Sequence, residues 1–246
     1  MSWVVHHGDC LDVLRRLPDR SIDCVLTDPP YSSGTRKEAA KGLRKSMRRE
    51  RDDEAWFDGD SLTVVGFGYL MREVARECRR VMKPGAHLLA FIDWRMLPHL
   101  AAAIESADLR HAGVLVWDKT YFGMGSCFRN QHELVLHFSR DQGWEPQRRD
   151  VGNVLRCPPV RNGEHPTEKP VELLRALLSV VCPCGGVVLD PFAGSGATGV
   201  ACVTEGLGFV GIESSDRYVD LARERIAAAD PIGRQESLLD AMKEGA

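Results

Sequence analysis

Short apolar runs that alternate with helical patterns constrain the fold of this chain more than any other feature. Runs rich in Val, Ile, Leu and Phe predict strands at 3–6, 22–27, 87–92, 112–118, 132–138, 186–190 and 208–212. Apolar positions that recur with the helical period predict helices at 10–17, 62–82, 94–106, 168–181, 197–205 and 215–229. Strands that alternate with helices form a doubly wound, mostly parallel α/β sheet. The two strands around 112–138 lack an intervening helix, so we expect an antiparallel hairpin at the edge of a seven-stranded sheet.

The size, charge and cysteine content of the chain exclude several classes of protein. A length of 246 residues suits one α/β domain over 1–246, and a net charge of −3 argues against a globally basic nucleic-acid binder. The eight cysteines form no C-x₂-C pair, and His132-Glu133 does not begin an H-E-x-x-H pattern, so we expect reduced thiols and no metal. No run reaches transmembrane length and no signal peptide is apparent, which predicts a cytoplasmic protein with no membrane contact.

The stretch VVLDPFAGSGATGVAC places a glycine-rich loop between a predicted strand and a predicted helix. Gly194, Gly196 and Gly199 match G-x-G-x-x-G, and Glu213 follows at the end of the next strand. Glycines allow a ligand to approach the backbone, and an acid can accept hydrogen bonds from ribose hydroxyls, so several nucleotide cofactors fit this pattern. A nicotinamide oxidoreductase is the competing class. Its fingerprint usually lies near the first strand, whereas only one strand and one helix follow the loop here.

A second motif, DPPY at 28–31, ends the strand predicted at 22–27. Pro29 and Pro30 fix φ and carry no N–H, so they hold Asp28 and a bare carbonyl rigidly beside Tyr31. A plain turn, capped by Asp28 and packed by Tyr31, is the alternative. Phe192, ahead of the glycine loop, suits an adenine or amino-acid moiety better than a pyrophosphate. Taken with DPPY, the loop predicts S-adenosylmethionine as the cofactor.

With these two motifs, the chain resembles the β-group of amino-methylating DNA methyltransferases, which modify adenine N6 or cytosine N4. GDCLDVLRRLPDRSIDCVLTDPPY looks like the catalytic block, and HPTEKPVELLRALL, followed by DPFAGSGATG and GIE, looks like the cofactor block. The resemblance spans roughly 5–229, in the permuted motif order of that group. It implies a circularly permuted class I methyltransferase fold, with a seven-stranded sheet that has a reversed last strand.

The resemblance also implies roles for individual residues. The catalytic set is Asp28, Pro29, Pro30 and Tyr31: the Asp28 carboxylate and Pro29 carbonyl each take an N–H of the target amine, and Tyr31 stacks on the extruded base. Asp9 would contact the cofactor adenine or only cap the helix at 10–17, and Lys169 would pair with the cofactor carboxylate. The residues expected to bind the cofactor are Asp9, Cys10, Asp28, His165, Thr167, Lys169, Asp190, Pro191, Phe192, Gly194, Ser195, Gly196, Thr198 and Glu213.

Within that family, Asp at the first DPPY position usually accompanies adenine, and Ser accompanies N4-cytosine. Asp28 therefore favours N6-adenine methylation of double-stranded DNA, with N4-cytosine as the alternative and a catalytically silent DNA-binding regulator as a further class. The insertion 35–58 is locally basic and follows the catalytic turn, so we expect it to contact phosphates. The predicted DNA-binding residues are Arg36, Lys37, Lys41, Arg44, Lys45, Arg48, Arg49, Lys119 and Arg129. The insertion 140–164 is predicted to be a short target-recognition loop, and a homodimer is expected because the family often pairs.

Overall fold

The computed structural model describes residues 2–30, 63–123, 127–160 and 168–229, which form eight strands and six helices. In chain order these are β1 (Trp3–His7), α1 (Cys10–Leu14), β2 (Ile22–Thr27), α2 (Val64–Val81), β3 (Met82–Ile92), α3 (Leu97–Glu105), β4 (Arg110–Asp118), β5 (His132–Ser139), β6 (Val154–Arg156), α4 (Val171–Val181), β7 (Val187–Asp190), α5 (Ala197–Thr204), β8 (Gly208–Glu213) and α6 (Asp216–Ala227).

All eight strands pair in one sheet, in the order β1-β8-β7-β2-β3-β5-β4-β6. Among these strands β5 alone runs antiparallel, pairing with β3 on one side and β4 on the other. The remaining neighbours pair in parallel. The doubly wound, mostly parallel sheet is therefore confirmed, and the carboxyl ends of its parallel strands lie along one edge. Ligands bind at that edge in open α/β sheets.

The region beyond the β4–β5 hairpin differs from the prediction in two respects. Residues 154–156, expected to lie in a loop, form an eighth strand that pairs in parallel with β4. The hairpin is consequently covered by β6 and does not form the sheet edge. The indole nitrogen of Trp117 donates to the Cys157 carbonyl at 2.7 Å and fixes the chain beyond β6. Three residues are too few to show a strand period, so the sequence pattern could not reveal β6.

Helices cover both faces of the sheet and bury two apolar clusters. On one face α2 presents a stripe that includes Phe67, Met71, Val74, Cys78 and Val81, each almost fully buried. Their spacing repeats with the helical period, which is why this segment folds as an amphipathic helix. On the other face α4, α5 and α6 pack around apolar residues of β7 and β8. Among the described residues, no helix combines the length and apolar character needed to cross a bilayer.

Candidate active site

Four neighbouring strands carry acidic residues to the carboxyl edge of the sheet. In sheet order, β1 is followed by Asp9, β8 ends at Glu213, β7 ends at Asp190 and β2 is followed by Asp28. The Gly8 amide donates to the Glu213 carbonyl at 2.9 Å, which joins the turn after β1 to the end of β8. The fold thus brings together acids from both ends of the chain, as the predicted permuted sheet requires.

Asp9 caps α1, and its carboxylate lies at the surface. Its Oδ1 accepts from the amides of Leu11 at 2.9 Å and Asp12 at 3.1 Å. The neighbouring Cys10 is buried, and burial raises the pKa of its thiol to about 12, so the thiol stays neutral. The capping role of Asp9 is therefore confirmed. Its contact with cofactor adenine, with the Cys10 backbone beside it, stays a prediction.

Glu213 holds the glycine-rich loop closed. Its Oε2 accepts from the Gly194 amide at 2.9 Å, and its Oε1 accepts from the Ser215 amide at 2.8 Å. The side chain is 7% exposed. A carboxylate oxygen can accept more than one hydrogen bond, so a ribose hydroxyl could share Glu213 with these amides. The structure therefore places Glu213 beside the loop, as the sequence pattern predicts.

The three glycines of the fingerprint face different surroundings. Gly194 has φ 51°, and a Cβ there would meet no described atom within 4 Å. At Gly196, with φ 83°, a Cβ would lie 2.8 Å from the Ala222 Cβ of α6, and at Gly199 it would lie 2.3 Å from Ile226 Cδ1. The close approaches at the second and third glycines are therefore made to α6. Gly194 is the glycine that leaves open space beside the loop.

Both carboxylate oxygens of Asp190 accept hydrogen bonds from within the protein. Its Oδ1 accepts from the Thr27 hydroxyl at 2.9 Å and the Phe192 amide at 3.1 Å, and its Oδ2 accepts from the Thr198 hydroxyl at 2.7 Å. Burial raises the pKa of Asp190 to about 6, against the opposing effect of these hydrogen bonds. Asp190 and Thr198, both predicted to bind the cofactor, thus bind each other and position the loop between them, which contains Pro191.

Ser195, in the middle of the loop, is tied to the segment that precedes α4. Arg225 of α6 donates to the Ser195 hydroxyl at 2.7 Å and to its carbonyl at 3.1 Å. The same guanidinium forms an ion pair with Glu168. This bridge fixes the approach to α4 against the glycine loop, and the next residue along that approach is Lys169.

Asp28 follows β2 and presents one free acceptor atom. Its Oδ2 forms an ion pair with the Lys169 ammonium, whereas its buried Oδ1 accepts no hydrogen bond from the described residues. Burial raises the pKa of Asp28, Glu133 adds to the rise, and Lys169 opposes it. Pro29 is buried, which holds the carboxylate and the following carbonyl in place. A buried acceptor without a partner is costly in a folded protein and marks a position where a ligand donor fits.

Sequence reasoning missed Glu133 as a site residue. The structure places it on β5, where its Oε1 pairs with the Lys119 ammonium and its Oε2 lies 3.5 Å from Lys169 Nζ. Burial acts to raise the pKa of Glu133, but Lys169 and Lys119 together hold it below its ordinary value. The sequence offered one signal for Glu133, an acidic residue at the start of an apolar strand. In the structure Glu133 lies opposite Trp117 of the paired strand β4.

The two predicted phosphate contacts on the β4–β5 loop lie in different environments. The Lys119 ammonium is directed to Glu133 and lies 4.8 Å from the centroid of the Trp117 ring. Arg129 is exposed and donates to the Gly123 carbonyl at 2.8 Å, with its guanidinium 5.7 Å from the Phe122 ring centroid. The DNA contacts of both residues stay predictions, although Lys119 is already paired inside the site.

Several predicted site residues lie outside the described residues: Tyr31, Arg36, Lys37, Lys41, Arg44, Lys45, Arg48, Arg49, His165 and Thr167. Their roles remain predictions. Lys169, expected to pair with the cofactor carboxylate, is 5% exposed and contacts Asp28 and Glu133. The pairing of Lys169 with a cofactor carboxylate stays a prediction. Across the described ranges, no group of three or more His, Cys, Asp or Glu side chains is arranged to hold a metal ion.

Comparison with known proteins identifies the family to which the fold and site belong. The sequence model of the DNA methylase family N6_N4_Mtase matches residues 22–224. YubD of Escherichia coli strain K12, a methylase by name, is 30% identical over 233 residues, covering 95% of this chain and 94% of YubD. The chain belongs to the N6_N4_Mtase family of DNA methylases. The resemblance drawn from DPPY and the glycine loop is thus confirmed.

Solved structures show the same fold. A DNA modification methylase from Thermus thermophilus, complexed with S-adenosyl-L-methionine, is 22% identical with a TM-score of 0.69, covering 94% of this chain and 97% of its own. The cytosine-N4-specific PvuII DNA methyltransferase is 16% identical with a TM-score of 0.72, covering 92% and 86%. These likenesses confirm the methyltransferase fold that the alternating strands and helices predicted.

Proposed function

We propose that this DNA methyltransferase transfers the methyl group of S-adenosylmethionine to the exocyclic N6 amine of an adenine flipped out of duplex DNA. The observation that carries the proposal is the Asp28 Oδ1 atom. It is buried, accepts no hydrogen bond from the described residues, and lies at the carboxyl edge of the sheet beside the glycine loop. Asp28 belongs to the DPP sequence that the resemblance assigns to amine binding.

The exocyclic amine is a poor nucleophile because its lone pair is delocalised into the ring. If Asp28 Oδ1 and the Pro29 carbonyl each accept one N–H, the nitrogen is drawn toward tetrahedral geometry and its lone pair is aimed at the methyl carbon. A new N–C bond then forms while the C–S bond breaks, and the bonding pair stays on sulfur. The methylated nitrogen, now positively charged, finally releases a proton to water. Fixed acceptors need no reorganisation during this step, and preorganised dipoles of this kind lower a barrier.

The loop and its neighbours have the chemistry to hold the cofactor. The family depends on S-adenosylmethionine as its methyl donor. Gly194 leaves space beside the loop, and the Glu213 carboxylate lies 2.9 Å from the Gly194 amide. The exposed carboxylate of Asp9 lies after the neighbouring strand β1. Carboxylates at the ends of two neighbouring strands suit the hydroxyl and amino groups of an adenosine.

The choice of adenine over cytosine rests on Asp28. Within the resemblance, Asp at this position usually accompanies adenine and Ser accompanies N4-cytosine. The reaction itself could use either amine, because both are delocalised exocyclic nitrogens. Cytosine N4 is therefore the second candidate substrate, and the product distinguishes the two.

The DNA surface that we propose surrounds this edge. The basic segment 35–58 follows the catalytic turn along the chain, and Arg129 lies exposed on the β4–β5 loop. The same loop exposes the rings of Phe122 by 61% and Phe128 by 92%, which suits stacking against bases. Phosphate contacts of the segment would position the duplex without reading its sequence. The insertion 140–164, which contains β6, is the proposed target-recognition loop.

We propose a homodimer through the exposed face shared by α2 and α3. Val65 and Tyr69 of α2 are 72% and 70% exposed, and they line a cavity of about 410 Å³ against α3. Large apolar side chains that cluster at a surface commonly mark an interface. Light scattering should give twice the monomer mass at assay concentration. A monomeric mass with full activity would exclude the dimer.

The function is tested by identifying the product. Purified protein is incubated with S-adenosylmethionine and unmethylated genomic DNA, and the DNA is digested to nucleosides for mass spectrometry. We expect N6-methyladenine, with none formed by the Asp28→Ala variant. N4-methylcytosine in its place would assign the second candidate substrate. Absence of both, with the protein folded and the cofactor bound, would contradict the proposed function.

A further inference from the structure

Four side chains of alternating charge form a line across the site. Lys119 pairs with Glu133, Lys169 lies 3.5 Å from Glu133 Oε2, and Lys169 pairs in turn with Asp28. They come from four places in the chain: the end of β4, the start of β5, the approach to α4 and the end of β2. Two carboxylates thus lie beside the Lys169 ammonium. One of them, Asp28, is the carboxylate that we propose binds the target amine.

The line is buried more deeply toward its centre. The side chains of Lys169 and Glu133 are 6% and 19% exposed, compared with 26% for Lys119 and 27% for Asp28. Desolvating charges is costly, and apolar residues of similar volume often stabilise a fold as well as a buried ion pair does. Stability alone therefore does not account for Glu133. Its location suggests a role exerted through Lys169.

We infer that Glu133 is a positioning residue of the methyl-transfer site: with Lys119, it holds the Lys169 ammonium against Asp28 Oδ2, so that the carboxylate is fixed with Oδ1 directed to the amine. The inference rests on the proposed role of Asp28. Without Glu133, Lys169 would keep the Asp28 contact but lose the carboxylate that lies 3.5 Å from its ammonium on the other side. Small displacements of a positioning group can lower a rate substantially.

The charges around Asp28 predict whether each substitution raises or lowers the Asp28 pKa. Lys169 and Lys119 favour the carboxylate, whereas Glu133 disfavours it, and Asp190 faces the same edge from β7. Removing the negative charge of Glu133 should therefore lower the Asp28 pKa. Removing either lysine charge should raise it. A residue that acted only by supporting the fold would change the free energy of unfolding. It would not shift the Asp28 pKa in these opposite directions.

The test measures single-turnover methyl transfer from S-adenosylmethionine to unmethylated genomic DNA across pH. We expect Glu133→Gln to move the acid limb to lower pH and to lower the plateau rate about tenfold. Lys119→Met should move the limb to higher pH, and Lys169→Met should move it further in the same direction. Asp220→Asn, a surface change on α6, is the control and should leave the profile unchanged.

A plateau rate equal to that of wild type, or an acid limb that stays in place, in folded Glu133→Gln would overturn the inference. If that variant does not fold, Lys119→Met carries the test, and an unmoved limb there is equally decisive. Titration of the ¹³C-labelled Asp28 carboxyl in the free protein gives the same signs without an assay of activity. Full activity in Asp28→Asn would instead contradict the proposed function, so failure of the two ideas can be distinguished.

Discussion

Two Asp-Pro pairs lie at the carboxyl ends of neighbouring strands, and the structure treats them differently. Asp190 ends β7 and accepts three hydrogen bonds, from Thr27, Phe192 and Thr198. Asp28 follows the adjacent strand β2, and within the described residues only its Oδ2 has a partner, Lys169. Burial raises the pKa of both carboxyls. The same dipeptide therefore serves structure at one strand and, as we propose, chemistry at the next.

The side chains that surround each carboxylate, and not the Asp-Pro dipeptide, determine its role. Thr27 comes directly before Asp28, yet its hydroxyl points to Asp190 at 2.9 Å. The strand that precedes Asp28, our proposed catalytic residue, thus braces Asp190 and, through it, the glycine loop. Any movement of the glycine loop would therefore also displace the end of β2. We expect the following changes to separate the two acids.

The largest expected effect is on stability. Asp190→Ala leaves two buried hydroxyls and one amide without an acceptor, so the free energy of unfolding should fall by about 4 kcal/mol. Asp28→Ala removes one unsatisfied oxygen together with the ion pair to Lys169, which keeps Glu133 at 3.5 Å, so the loss should be smaller, about 2 kcal/mol. Urea unfolding at about pH 4, below the range in which Asp190 loses its contribution, measures both. Equal losses for the two variants would contradict the different roles of the two carboxyl groups.

The second effect depends on pH. The pKa of Asp190 is raised to about 6 in the folded state, above its usual 3.8, so the folded protein binds more protons between these values. Its contribution to stability is fully present below pH 4 and is lost as the pH rises through 6, by at most about 3 kcal/mol. The difference in unfolding free energy between wild type and Asp190→Asn should therefore shrink over this window. A difference that grows with pH would show that Asp190 has a lowered pKa.

A smaller effect separates the two loop glycines. Gly196→Ala should lower stability by about 2 kcal/mol, because φ is 83° and the new Cβ would meet Ala222. Gly194→Ala should fold with a smaller loss but bind S-adenosylmethionine at least about tenfold more weakly, since its Cβ enters the open space beside the loop. Calorimetric titration and thermal unfolding measure the pair. Normal cofactor affinity in Gly194→Ala would refute the assignment of the loop.

Most of the fold was predictable because its elements are long and strongly patterned. The helix predicted at 62–82 is α2, Val64–Val81, and the strands predicted at 22–27 and 208–212 are β2 and β8. The fingerprint also identified the loop that we propose binds the cofactor. It could not tell the glycines apart, because Gly196 is constrained by Ala222 on a helix that the local spacing does not include. Contacts of this kind exist only after the chain has folded.

The same limit explains why part of the site was missed. Lys169 was expected to face the cofactor carboxylate, and its contacts with Asp28 and Glu133 depend on three separate elements meeting at one edge. Glu133 lies in an apolar strand sequence that contains no recognisable motif, and only the adjacent His132 drew attention to it. A motif reveals residues that act together when they are close in sequence. It cannot reveal a partner supplied by tertiary structure alone.

The most direct test of the account is the single-turnover rate of methyl transfer in Asp28→Asn, measured together with its affinity for S-adenosylmethionine. Asn keeps the size of the side chain but removes its charge, so the rate should fall at least about 100-fold while the cofactor Kd changes less than about threefold. The control Asp220→Asn should match wild type. A rate above about a tenth of wild type, a loss of less than about 1.4 kcal/mol in barrier stabilisation, would contradict the central role of Asp28.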